Sequence, residues 1–405
     1  MNKKELQFSN VSHYKFTRKL LWVLGTSPDQ QWSKNKFCLL RVCFVYMLLV
    51  FFMYTVITAL VRPSDDPDRI ITALPLLFAA FFCITKLQNT VGNEIKMNKI
   101  TEELNRTWKM EWSKDEFAIL QEFAYNGKIF GLIYAFSIYG VLSALFAVHM
   151  LAIFLYNRQD YNNTHSALLL YTADYGFNIE KYKYLIYLHQ YITSITNMTV
   201  FVAIDSLFIL FVEHICSLFA VAGHQLEHAF DHYENLSEKY DPDEAYDMQQ
   251  IIKGLKSQQR AIEFCNIFED TNSKAYFMTF FVMFLCLTST LFEASIVCDF
   301  SANTLLSPVF LQVFCFFVGN IVHLFFCCYP AQRVIDYSIN IHERIYYSYW
   351  YKAGLKAQKL LVLALRNTNN PSKITAGGIY VFSLESVAMI VQTSFSYFTM
   401  MASMS

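Results

Sequence analysis

Residues 37–61 read FCLLRVCFVYMLLVFFMYTVITALV. A hydrocarbon layer of roughly 30 Å is crossed by about 20 apolar residues in a helix, and this stretch is long enough. An open strand would leave its amides unpaired in lipid, so the segment is read as a helix. Six further apolar blocks follow at 70–91, 129–156, 185–221, 275–298, 308–329 and 379–401. The fourth is longer and more polar than the rest, and its start near residues 193–197 is the least defined boundary. The expected fold is an all-α membrane protein with seven transmembrane helices.

Composition agrees. Of 405 residues 55% are hydrophobic and 17% aromatic, with 26 Tyr and 38 Phe, and only 16% are charged. A soluble domain carries roughly a quarter charged residues. The net charge of −1 gives no reason to expect nucleic acid as a partner. The ten cysteines form no C-x-x-C pair, and only Cys298 falls on the face argued below to be external. An extracellular disulfide framework is therefore not expected. The first 36 residues hold no apolar stretch of the signal-peptide kind, so the first span directs its own insertion.

Basic residues fix an orientation. The segment before span 1 and the loops between spans 2 and 3, 4 and 5, and 6 and 7 hold 25 Lys and Arg, whereas the opposite loops hold 5. The positive-inside rule places the N-terminus in the cytoplasm and the C-terminus outside. The sequon at Asn162 then lies in an outer loop and is a candidate for glycosylation; those at Asn10, Asn105 and Asn235 lie inside. A cytoplasmic N-terminus is the reverse of a G-protein-coupled receptor. No D-R-Y follows span 3, and Asn370-Pro371 does not continue as N-P-x-x-Y.

Where span 4 meets the cytoplasm the chain reads HQLEHAFDH, residues 224–232. On an α-helix the four-residue spacing stacks His224, His228 and His232 on one face, and H-x-x-E-H matches a zinc-peptidase pattern. Three readings are open: a continuation of span 4 that buries Leu226, Ala229, Phe230 and Tyr233, a membrane metalloenzyme, or a proton-sensitive cluster. The metal reading lacks a second histidine box and an evident further carboxylate ligand. The expected resident metal and cofactor are none.

Helical spacing also runs through 248–268, 334–349 and 352–365, so several helices project inward and pack beneath the membrane. The chain divides into a cytoplasmic segment 1–36, transmembrane helices 1–4 over 37–221, a cytoplasmic helical loop 222–274, helices 5–6 over 275–329, anchor helices 330–378, and the last helix with the extracellular end at 379–405.

That last helix carries Ser383, Ser386, Ala388, Thr393, Ser394, Ser396, Thr399, Ala402 and Ser403. Small and hydroxyl residues let helices approach closely or line a wet path, and both readings stand. Glu385 sits in its first turn, where a carboxylate gains from the helix N-terminus and also attracts cations. Pro371, Gly377 and Gly378 break the chain before it.

Residues 365–401, LRNTNNPSKITAGGIYVFSLESVAMIVQTSFSYFTMM, resemble the C-terminal signature of insect odorant receptors. The matching parts are an inner helix ending in Leu-Arg, a Pro, a Thr-Ala-Gly turn, a Ser-Leu-acidic start and a Ser-Tyr-Phe finish. The T-Y-x5-Q-F ending of gustatory receptors, the sister class that supplies the alternative reading, is absent. The short 222–274 loop resembles a ligand-tuning subunit rather than the longer co-receptor. The resemblance implies a ligand-gated, non-selective cation channel and no enzyme. It implies a heterotetramer with co-receptor subunits around one pore, in the plasma membrane of olfactory sensory neurons, opened by a small volatile organic ligand.

For the gate, the resemblance points to Met400 and Met404 with Ser403 beside them, and Glu385 is the further pore candidate. The ligand is expected in the outer half, between helices 2, 3, 4 and 6. Candidates are Leu74, Leu77, Phe78 and Phe81; Ser143, Phe146, Ala147, His149 and Met150; Tyr191, Ile195, Met198 and Thr199; and Phe310, Phe314 and Phe317.

Overall fold

The computed structural model describes residues 12–27, 35–62, 68–156, 169–177, 179–233, 244–297 and 307–404. Its helices are α1 (Lys15–Leu24), α2 (Lys36–Val61), α3 (Asp68–Gly92), α4 (Glu94–Lys109), α5 (Lys114–Tyr156), α6 (Ile179–Glu227), α7 (Glu244–Val297), α8 (Pro308–Tyr347), α9 (Leu355–Thr368) and α10 (Leu384–Met404). Asn162 lies outside the described residues.

Among the described residues six helices, α2, α3, α5, α6, α7 and α8, are long and apolar enough to cross a membrane. The outward side of α2 shows what surrounds them. Leu40, Phe44, Met47, Val50 and Tyr54 recur along it at helical spacing, all exposed. A stripe of that size is tolerable only in lipid or against a partner. The last helix, α10, is 21 residues long and carries Glu385, Gln392 and several hydroxyl residues among its apolar ones.

The helices do not respect the division drawn from sequence. At 54 residues α7 is about 80 Å long, against a hydrocarbon layer of roughly 30 Å. It runs unbroken through the 274/275 boundary, as α8 does through 329/330. The same rods thus carry both the apolar blocks and the more polar segments 244–274 and 330–347. α6 is the central rod, packed by α5, α7 and α8 and touched by α1, α2 and α3. Its segment 205–223 is buried throughout.

Two ion pairs join α6 to the second half of α8. Arg333 of α8 pairs with Glu213 of α6 and lies over the rings of Phe123, Phe130 and Tyr337. Arg344 pairs with Glu227 at 3.1 Å. At the start of α5, Ser113 and Glu116 form a reciprocal capping box. The Ser113 N–H donates to Glu116 Oε2 at 2.8 Å and the Glu116 N–H to Ser113 Oγ at 3.1 Å. Glu116 Oε1 then accepts from Gln225 Nε2 at 2.8 Å and pairs with Lys253 Nζ at 2.5 Å. One carboxylate so joins α5, α6 and α7.

The final span begins later than the sequence pattern indicates. Residues 379–382 enter a short antiparallel hairpin instead, β1 (Thr375–Ala376) with β2 (Tyr380–Val381), in register Thr375↔Val381 and Ala376↔Tyr380. Gly377, at φ 65°, turns the hairpin. A Cβ there would come within 3.1 Å of the Phe277 Cβ, so glycine is required by space as well as by conformation. Its N–H donates to the Ser273 carbonyl at 2.9 Å, and Thr375 donates to Glu269, fixing the turn to α7. The helix then starts at Leu384, where Ser383 Oγ accepts from the Ser386 N–H.

Candidate functional site

Only two of the chain's 32 Lys and Arg, Arg41 and Lys86, lie within the apolar spans. Lys86 sits one turn below a cavity and belongs to its floor. Its ammonium pairs with Asp205. Tyr134 donates its hydroxyl to the other oxygen of Asp205 at 2.6 Å, and His323 Nδ1 lies 2.9 Å from the Tyr134 oxygen. Because the Tyr134 proton is committed to Asp205, Nδ1–H of His323 is the donor to Tyr134. Nε2 is then the acceptor, with Lys86 Nζ at 3.4 Å and the Cys327 thiol at 3.6 Å. Four helices, α3, α5, α6 and α8, are tied by this network. Burying such charges is costly unless each finds a partner, and here each does.

Among the described residues Asp205, His323 and Cys327 are the one group whose ligand-type atoms fall within 4.8 Å of one another. Lys86 already supplies positive charge to that group, so its donor set fits an ion pair better than a metal. The histidine run of 224–232 does not converge either. α6 ends at Glu227 and tightens into a 3-10 turn over His228–Tyr233, which takes His232 off the face shared by His224 and His228. His224 packs on His228 at 4.3 Å between ring centres, His228 faces Asp231 at 3.4 Å and His232 faces Asp247 at 3.2 Å. Leu226, Ala229, Phe230 and Tyr233 are buried, as the packing reading requires.

Above the floor lies a cavity of about 150 Å³. α3 contributes Leu76, Ala79, Phe82 and Cys83; α5 contributes Tyr134, Ile138, Val141, Leu142 and Leu145; α6 contributes Ser194, Asn197, Met198 and Phe201. Val282, Met283 and Cys286 of α7, Cys315, Phe316, Gly319, Asn320 and His323 of α8, and Phe52 of α2 close the sides. Leu170 and Tyr171 from the 169–177 segment cover it. That cover is pinned on both sides. Asp174 pairs with Arg62 at 2.8 Å, its N–H donates to the Thr55 carbonyl, and Gln190 bridges the Leu170 N–H and the Tyr171 carbonyl. Burial within this cover pushes the Tyr171 hydroxyl well above its ordinary range. The walls are apolar and aromatic. Tyr134 and His323 spend their polar atoms on each other and on Asp205, whereas the buried Asn197 Oδ1 has no hydrogen-bond partner.

The expected helices surround this space, but mostly with different faces. Met198 alone among the sixteen candidates lines it. Leu74, Leu77 and Phe78 are half-buried and Phe81 is exposed, turned from the wall that Leu76, Ala79 and Cys83 form. Ser143, Ala147 and Met150 are exposed. Phe146 packs edge-on against Tyr191 at 4.7 Å, and buried His149 holds the Tyr191 hydroxyl at 2.7 Å. These three residues lock α5 to α6 beside the cavity. Ile195 is exposed, Thr199 meets the Tyr139 hydroxyl at 3.1 Å, and Phe310 stacks on Phe314 while Phe317 packs on the core. The physical reason is common to all. Lipid-facing and cavity-facing surfaces are both apolar, so hydrophobicity does not say which side of a helix faces inward.

On α10 two faces differ. Ser386, Ile390 and Ser394 are buried against α7 and α8. Glu385, Gln392, Ser396, Thr399 and Ser403 are exposed and follow one another at steps of seven, four, three and four residues along the opposite side. Met400 is exposed beside them and Ser403 donates to its carbonyl at 2.8 Å; α10 includes Met404, whose side chain is outside the described residues. Gln392 is the stripe member that sequence reading passed over, since a search for small and hydroxyl residues misses an amide.

The profile of the 7tm odorant receptor family matches residues 66–395. Odorant receptor 22c of Drosophila melanogaster is 23% identical over 203 residues, 49% of this chain and 48% of that one. Odorant receptor 10 of Aedes albopictus is 23% identical over 152 residues, 38% of this chain and 39% of that one. A putative odorant receptor 85d of Drosophila melanogaster is 30% identical over 83 residues, 20% of each chain. These alignments span less than half the length of the curated relatives. The fold is that of the olfactory receptor OR5 of Machilis hrabei, solved in complex with eugenol. That match has a TM-score of 0.77 at 13% identity and covers 96% of this chain and 98% of that chain. A second OR5 structure aligns with a TM-score of 0.71 at 15% identity, covering 96% and 97%. The chain belongs to the 7tm odorant receptor family.

Proposed function

We propose that this chain is the ligand-tuning subunit of a ligand-gated, non-selective cation channel. The observation that carries the reading is the two-faced α10. Its buried serines, Ser386 and Ser394, sit against its own bundle, and its exposed polar stripe has no counterpart among the described residues. Such a helix is accounted for when copies from neighbouring subunits turn the stripe to a shared axis. The hydroxyls of Ser396, Thr399 and Ser403 already donate to carbonyls one turn back, which suits a helix bordered by lipid.

In this reading α10 is the seventh transmembrane helix, the Lys- and Arg-rich end is cytoplasmic, and Met400, Ser403 and Met404 form the outer constriction. Apolar rings block ions by dewetting. The cavity under Tyr171 takes the ligand, a small volatile molecule bound mainly by burial. A ligand opens the channel only if it favours the open arrangement over the closed one. The cavity touches α3, α5, α6, α7 and α8, and α10 packs on the last two, so α7 and α8 are the route between them. The partners are co-receptor subunits in a heterotetramer, and the location is the plasma membrane of olfactory sensory neurons. As a member of this receptor family the chain is not an enzyme.

Co-expression with and without an odorant co-receptor, recording current against a panel of volatiles, tests the reading. Ligand-evoked cation current only in the co-expressing cells is expected. Evoked current from this chain alone would replace the heteromer with a self-sufficient channel, and a tag at Ser405 reached only after permeabilisation would overturn the orientation.

A further inference from the structure

Arg41, the second cation within the spans, has no carboxylate partner among the described residues. It stands in the second turn of α2, and its guanidinium donates to the Trp22 carbonyl and, at 3.3 Å, to the Phe37 carbonyl. The Trp22 ring lies 4.2 Å from it. These contacts fix the fork but leave its charge uncancelled. Trp22 in turn ends a stripe on α1, with Lys15, Lys19 and Trp22 spaced four and three residues apart and all exposed. The opposite face of α1 buries Tyr14, Thr17, Leu21 and Leu24 in the protein. Among the described residues none of Lys15, Lys19 and Arg41 makes an ion pair.

The end of α1 packs against the first turns of α2, and this contact forms an elbow. Gly25 caps α1 at φ 78°, and a Cβ on it would lie 2.5 Å from the Cys38 carbonyl and 3.1 Å from the Arg41 Cβ. No other residue lets α1 approach α2 so closely. Phe37 and Leu40 flank Arg41 with exposures of 78% and 70%, the signature of a lipid-facing turn. Tryptophan is enriched at the lipid–water boundary, and buried cations there extend towards headgroups.

We propose that this elbow holds the phosphate of an acidic phospholipid. The Arg41 fork is the primary ligand, Lys19 and Lys15 are the second ring of charge, and Trp22 and Phe37 are the contacts for the glycerol and upper acyl region. Arginine suits the task because its planar donors match phosphate oxygens two at a time. That the lipid comes from the inner leaflet rests on the orientation proposed above; the site itself does not.

The full chain is placed in nanodiscs of phosphatidylcholine alone, or with phosphatidylserine or phosphatidylinositol bisphosphate added. Lipid carried through gentle ionisation is read by native mass spectrometry, and unfolding is followed thermally. The expected result is selective retention of the acidic lipids with a raised melting temperature. Removing each cation should lower retention about fivefold. Arg41→Gln removes the fork, while Lys15→Gln with Lys19→Gln changes only exposed side chains and decides the matter if the first variant does not fold. Equal retention of acidic and zwitterionic lipid by the wild type overturns the proposal, as does unchanged selectivity in the variants. Inorganic phosphate added to phosphatidylcholine discs should do nothing; a matching shift would make the site one for free anions and overturn the lipid assignment. Nanodiscs expose both leaflets, so these outcomes are independent of the orientation, which the Ser405 tag reports separately.

Discussion

Tyr134 donates its hydroxyl to Asp205 at 2.6 Å, and that single bond decides the proton arrangement of the cavity floor. With the Tyr134 proton spent, His323 carries a proton on Nδ1, which also lies 3.1 Å from the same Asp205 oxygen, and Lys86 pairs with the other oxygen. A buried pair of this kind is expensive to break and cheap to remove as a unit. Lys86→Met or Asp205→Asn alone is expected to destabilise by roughly 3–5 kcal/mol. The double substitution should recover most of it. Thermal unfolding of detergent-solubilised protein measures this cycle, and additive losses would show that the pair is not a unit.

The cavity makes a prediction that separates two faces of each helix. Gly319 lines it, and a Cβ there meets only Val141 at 3.5 Å. Gly319→Val should be tolerated by the fold and should shorten the series of ligands accepted. Sensitivity to the bulkiest members is expected to fall about 10–100-fold, the scale of one or two methylenes in an apolar pocket. Phe78→Ala and Phe314→Ala, off the cavity wall, should leave the ligand ranking unchanged. A dose–response series on evoked current reads both, and a reversal of the two effects would move the site.

The segment 37–61 becomes α2 almost residue for residue because lipid demands a minimum length and allows no open strand. The same demand says nothing about helices continuing into water, so α7 and α8 run far past the ends of their apolar blocks. The family resemblance named helices 2, 3, 4 and 6, which line the cavity together with α2 and α7, and of its candidates only Met198 lies at the wall. It missed Leu76, Leu142, Leu145 and Gly319, since each residue step rotates an α-helix by about 100° and apolar character is the same towards lipid and cavity. Lys86 with Asp205 was half legible. A carboxylate in a span calls for a partner, but nothing in spacing alone joins residues 119 apart.

The two faces of α10 respond differently to change. Gln392→Lys places a cation on the exposed stripe and should cut cation current strongly without preventing surface expression. Met404→Lys should leak or lose gating if the outer constriction is where the proposal puts it. Ser394 is fully buried, so Ser394→Leu overpacks the contact with the bundle and should cost about 1–3 kcal/mol, lowering expression rather than altering permeation. Reversal potentials with surface labelling distinguish the outcomes. Unaltered permeation in both Gln392→Lys and Met404→Lys would take α10 away from the pore.

The inner half should show two separable acid steps. Burial, the neighbouring His228 and Arg344 together lower the His224 value below its ordinary 6.5. In the unfolded chain it takes up a proton first, so this stabilising contribution, full above 6.5, starts to fall once the pH drops below it. Burial alone would raise the Glu116 carboxyl, but the bonds from Lys253, the Ser113 N–H and Gln225 outweigh it and hold the group below its ordinary 4.5. That contribution is complete above 4.5 and is lost as the pH falls through the lower folded value. Melting temperature against pH should therefore fall in an upper step that His224→Gln reduces, the remainder coming from His13, which burial and Lys128 also hold below 6.5, and a lower one that Glu116→Gln removes. Ser113→Ala, which deletes a cap, should cost about 1 kcal/mol at every pH and leave both steps in place. A lower step that survives in Glu116→Gln would assign the acid sensitivity to another carboxylate and leave the capping box a purely local device.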